Sequence, residues 1–142
     1  MSYCTQADLE ARYGATLLTQ LSDRADAPGA GIDADLFSRA IADADALIDG
    51  FMAGRYAVPL AVTPPLVKDL AQRIAIYYAH GETVGDKIRA DHDAALRQLR
   101  DIANGLITLN ADGAEPAASG GAEILTNQDE RPFTPGTMKG FI

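Results

Sequence analysis

The stretch from Asp33 to Leu60, headed by Ile32, constrains the fold more than any other part of the chain. Leu36, Phe37, Ala40, Ile41, Ala44, Leu47, Ile48 and Phe51 recur there at spacings of three and four. At 3.6 residues per turn, that recurrence gathers them on one face of a helix. Asp33 suits the N-cap, because a carboxylate there accepts the free backbone N–H groups of the first turn. Gly54 suits the terminator, and Arg55 beside it complements the negative end of the helix dipole. Such a helix has about 20 residues and is roughly 30 Å long. Each large apolar side chain it buries contributes about 1.5–3 kcal/mol, so other elements must cover this face.

The rest of the chain supplies helices able to do so. Thr5 can cap the segment TQADLEARYG, with Asp8 in the capping-box position and Gly14 as terminator. A short second helix runs from Ala15 to about Leu21, with Leu17, Leu18 and Leu21 as its apolar contacts. SDRADAPGAGID then reads as a loop. Its acids, Asp23, Asp26, Asp33 and Asp35, lack the spacing and the closing Glu of a calcium-binding EF-hand. Beyond the long helix, Arg55 to Val62 has no helical period and contains Pro59, so it reads as an extended connection laid over a bundle.

Thr63 is expected to cap the next helix, with Pro64 at the first position, where its missing N–H is harmless. Leu66, Leu70, Ile74, Tyr77 and Tyr78 would face inward, flanked by Val67 and Ala71. An apolar character over much of the circumference marks this as the central helix. His80 and Gly81 end it. The following helix spans about Val84 or Gly85 to Asn104, with Ile88, Ala95, Leu96, Leu99, Ile102 and Ala103 as its stripe. Its opposite face mixes Lys87, Arg89, Asp91, Asp93, Arg97, Arg100 and Asp101, a solvated surface. Gly105 follows as terminator, and Leu106 to Leu109 reads as a short extended run.

The fold expected is all-α: a small bundle of about four to five helices over residues 1–109, with an extended C-terminal tail. Residues 110–142 change character, being rich in Gly, Ala, Pro and polar residues with isolated apolar points. Asn110 to about Gly121 reads as a flexible linker. Arg131 to Ile142 sets aromatics and an aliphatic end among Pro, Gly and Lys, the character of a peptide made to dock. Fully extended, these residues reach roughly 110 Å at about 3.3 Å each.

Charge and composition narrow the function. A length of 142 residues suits one core. A net charge of -8 argues against a sequence-independent grip on DNA or on an anionic membrane. No run approaches the ~18 apolar residues of a membrane span, and MSYCTQADLEARY lacks the regions of a signal peptide. Cys4 is alone, so no internal disulfide forms and a reducing interior is expected. A small buried residue is the preferred reading of that cysteine over a reactive thiol.

No catalytic or metal-binding constellation stands out: there is no HExxH, no GxSxG, no Walker lysine loop and no cysteine pair. His80 and His92 read as a helix-end and a surface histidine. Asp45 and Asp49, one helical turn apart, have a spacing that can hold a cation, yet without a third ligand they read as a solvated face. Gly113, Gly120 and Gly121 neither follow a strand nor open a helix, so no phosphate cradle is expected. Catalytic residues, metal and cofactor are therefore all expected to be none, and an enzyme only if its site is assembled between subunits.

The segments YCTQADLEARYG, LLTQLSDR, IDADLFSRAIADADALIDGFMAGRYAVPL, PPLVKDLAQRIAIYYAHG and RPFTPGTMKGFI resemble the Mu-type phage and prophage virion protein family over nearly the whole chain. The most specific parts are the AGRYAVPL junction, with Arg55, Tyr56 and Pro59, and the terminal Phe-Thr-Pro-Gly-Thr-Met-Lys-Gly-Phe. The resemblance implies a non-enzymatic neck component of the virion, made in the host cytoplasm. It would be a head–tail connector, or adaptor, forming a twelvefold ring beneath the portal. Its implied partners are the portal protein, identical subunits and a stopper or tail-completion protein, with phage DNA passing through without sequence-specific binding and no membrane involved. A closed ring uses two different patches per subunit. Phe133, Met138, Lys139, Phe141 and Ile142 are the candidate docking residues of the tail. Twelve copies at -8 would carry about -96 and let a genome slide past. A different expectation from the same residues is a small intracellular binding or regulatory module whose C-terminal peptide docks on a host partner.

Overall fold

The computed structural model describes residues 2–23 and 31–109. The loop 24–30 and the segment 110–142, including the expected docking residues Phe133, Met138, Lys139, Phe141 and Ile142, lie outside the described residues. All regular elements among the described residues are helices: α1 (Gln6–Tyr13), α2 (Ala15–Ser22), α3 (Ala34–Met52), α4 (Pro65–His80) and α5 (Asp86–Ala103). The protein is all-α.

The capping chemistry read from the sequence sets two of the helix starts. Thr5 Oγ1 accepts the Asp8 N–H, and Asp8 returns a bond to the Thr5 N–H at 2.9 Å. Asp33 Oδ1 accepts the N–H groups of Asp35 at 3.0 Å and Leu36 at 3.3 Å. Ser22 at the end of α2 holds this cap in place, its Oγ accepting the Asp33 N–H at 2.8 Å.

Two boundaries differ from expectation. At α4 the cap is Pro64, with Pro65 at the first helical position, and Thr63 stands outside. Consecutive prolines explain the shift, since either satisfies the first turn equally and the extended φ/ψ of Pro64 belongs to a cap. Helix α3 stops at Met52, before Gly54, because Arg55 and Tyr56 both turn their N–H groups back onto the Met52 carbonyl at 2.9 Å.

The face that α3 buries is the expected one: Phe37, Ala40, Ile41, Ala44 and Ile48, joined by Met52. It packs mainly on α4, whose Val67, Leu70, Ala71, Ile74, Ala75, Ile76 and Ala79 are all buried. Helix α4 also carries α5 and touches α1, so it is the central helix. Tyr77 and Tyr78, expected inside, are half-buried at its edge, and Ile76 takes the interior place. Helices α3, α4 and α5 alternate in direction, which brings the C-terminal ends of α3 and α5 and the start of α4 to one end of the bundle.

Candidate functional site

That end of the bundle holds the junction singled out in the sequence. Tyr56 is buried, and its hydroxyl accepts the Leu109 N–H at 3.1 Å. Leu109 is the last described residue, so Tyr56 anchors the end of the described chain. Arg55 lays its guanidinium over Gly105, in the space a Cβ there would occupy. Gly105 has φ +82, and its N–H and that of Leu106 close α5 onto the carbonyls of Ile102 at 3.1 Å and Asp101 at 2.8 Å. This is a Schellman close, which needs the left-handed conformation that glycine adopts without cost. Pro59 follows a cis peptide bond and is exposed. Leu60 is buried again.

The N-terminal arm reaches the same loop. The Leu60 N–H donates to the Tyr3 hydroxyl at 3.0 Å, while that hydroxyl donates to Asp49. The Tyr3 N–H donates to Asp45 Oδ1 at 3.0 Å. The expectation of a solvated face at Asp45 and Asp49 is thereby corrected: both are half-buried, and both hold Tyr3. The pair borders the apolar face of α3, and the arm crosses it there. Burial, with the Asp49 hydrogen bond second, pushes the Tyr3 hydroxyl up to about 12. Burial likewise raises the Asp45 carboxyl above its ordinary value. Cys4 is buried and its thiol is pushed up to about 12, by burial first and then by the nearby Asp45 and Asp8.

His92 also departs from expectation. It is buried, not a surface residue, and stacks on Tyr77 with ring centroids 3.8 Å apart, with Tyr78 edge-on at 6.1 Å. Its Nε2 has no hydrogen-bond partner, and burial lowers its pKa below the ordinary value despite Asp93 nearby. His80 is buried at the end of α4, its Nδ1 2.7 Å from the Ile76 carbonyl. Among the described residues, no three His, Cys, Asp or Glu side chains gather as metal ligands. No helix among them is long and apolar enough to cross a membrane.

The arrangement is a fastening: Tyr3, Arg55, Tyr56 and Gly105 tie the arm, the α3–α4 loop and the end of α5 together. Sequence reasoning singled out Arg55, Tyr56 and Pro59 but missed Tyr3. An aromatic just ahead of a capped helix, with two acids one turn apart beside an apolar stripe, was the available signal.

Residues 3–126 match the family described as Bacteriophage Mu, Gp36. The chain is 32% identical to gene product J of Escherichia phage Mu over 142 residues, covering 100% of both chains. It is 26% identical to the Mu-like prophage FluMu protein gp36 of Haemophilus influenzae over 140 residues, 99% of this chain and 98% of that one.

Proposed function

The chain belongs to the bacteriophage Mu Gp36 family, and from that premise we propose that it is a structural, non-enzymatic subunit of the virion neck. In this reading it is a head–tail connector, or adaptor. Copies form a ring, twelvefold as in similar connectors, beneath the portal protein and above a stopper or tail-completion protein. The genome passes through without sequence-specific binding. Residues 1–109 act as the bundle, 110–121 as a linker, and Arg131 to Ile142 as the peptide that engages a neighbouring subunit or the portal, with Phe133, Met138, Lys139, Phe141 and Ile142 at its contacts.

The observation that carries the reading is end-to-end kinship with a phage Mu protein, a match running the whole length of both chains. A second support is physical. The bundle buries its own helix stripes and anchors Leu109, the last described residue, at one end through Tyr56. That is the form required of a subunit that meets its neighbour through a terminal peptide.

Deletion of Arg131 to Ile142 tests the proposal. The truncated protein is expected to keep the helical circular-dichroism spectrum and cooperative melting of the full chain while disappearing from purified particles analysed by mass spectrometry. Normal incorporation of the truncated protein would sink the docking role, and absence of the full-length protein from the particle would sink the neck assignment.

A further inference from the structure

Apart from Arg55, the two loops at the junction end of the bundle carry no charge. From Tyr56 to Val67, and again from Ile102 to Asn110, no Asp, Glu, Lys or Arg occurs, in a chain that is 23% charged. The exposed large hydrophobic residues among the described ones are Val62, at 55%, and Leu106, at 77%. Both stand at this end, beside the half-buried Val58 and Ile107. A Schellman close ordinarily lets the residue after the glycine pack back onto its helix. Here that residue is Leu106, and it faces outward instead. The two loops carrying these side chains are joined by the Tyr56–Leu109 hydrogen bond and by Arg55 over Gly105, so they present one surface.

We propose that this surface is covered by the chain's own Ile124–Leu125 pair. The described chain ends at Leu109, buried at this end of the bundle and bonded to Tyr56. Residues 110–123, rich in Gly and Ala, come between, and Ile124 and Leu125 are the next large aliphatic residues. Fourteen residues extend to about 45 Å at about 3.3 Å each, far more than a return to the starting face requires. A tether of this length holds the pair at a millimolar effective concentration, which a second copy at micromolar levels does not match. The match to the family ends at residue 126, just past the pair and short of Arg131. On this proposal the bundle's own packing would end at Leu125, which leaves Arg131 to Ile142 for the docking role proposed above. Covering the surface involves one chain alone, so its test does not depend on ring assembly.

The test uses the full-length protein with Leu106→Cys and Leu125→Cys, in which the buried Cys4 stays out of reach of the oxidant. Mild oxidation is expected to give a disulfide within the monomer, at least tenfold faster than in a Leu106→Cys, Ala117→Cys control. In parallel, full-length protein carrying Ile124→Asp and Leu125→Asp is expected to show several-fold faster hydrogen exchange across residues 104–109, with exchange in α3 and α4 unchanged. Three results would each overturn the proposal: a rate equal to the control, a disulfide only between chains, or exchange unaffected by the aspartates.

Discussion

A single phenol does much of the fastening in this protein. The Tyr3 hydroxyl accepts the Leu60 N–H and donates to Asp49, so Tyr3→Phe leaves a buried N–H without a partner. The expected cost is about 1–3 kcal/mol, read from the urea midpoint; an unchanged midpoint would show that the arm contributes nothing. The same residue predicts alkaline behaviour. Its folded pKa, about 12, lies above the ordinary 10. The stability it contributes is thus fully present below pH ~10 and is lost as the pH rises from there through about 12. The Tyr3→Phe protein should lack this component of the alkaline transition. Cys4, buried and with its thiol raised, should resist a disulfide-exchange reagent in the native protein and react at once in denaturant. The burial of Cys4 was legible beforehand, but the role of Tyr3 was not, because partners forty or more residues distant leave no periodic trace. The cap residues Thr5 and Asp33 were legible, since their partners lie within the next turn.

Between helices, the seam of α4 and α5 carries a buried imidazole stacked on Tyr77. Burial lowers the His92 pKa, so protonation favours the unfolded chain. Stability should be unaffected well above pH 6.5 and should fall as the pH drops from 6.5 through the lowered folded value. Replacing His92 with Leu should remove that acid-side slope in melting temperature; persistence of the slope would assign it elsewhere. The close of α5 makes a second prediction. Gly105→Ala meets both a φ of +82 and the Arg55 guanidinium. Arg55 is long enough to swing aside, so the backbone strain remains as the cost, about 1 kcal/mol. The helices themselves were plain from their 3.6-residue period, and α3 buries the face that its spacing marks. The ends were less plain: Pro64 and Pro65 offer the same first-turn chemistry, and Tyr77 and Tyr78 sit at an edge where an amphipathic stripe fades into solvent.

For the whole molecule, a net charge of -8 on 142 residues predicts that the isolated protein is not retained by duplex DNA at any salt concentration. Retention that weakens steeply with salt in a gel-shift titration would contradict a passive passage for the genome. Family kinship was visible in the AGRYAVPL junction and the terminal peptide. The use of the junction was not, because Tyr56 acts on Leu109, 53 positions away. The described chain begins and ends on one short loop: Tyr56 grips Leu109, and Leu60 is gripped by Tyr3. A pull transmitted along the segment beyond Leu109 would therefore load that loop first, sharing tension between the arm and the bundle before α5 begins to peel. Stretched from its C-terminal end, the protein should yield in one abrupt step, behaving as a buckle and not as a zipper.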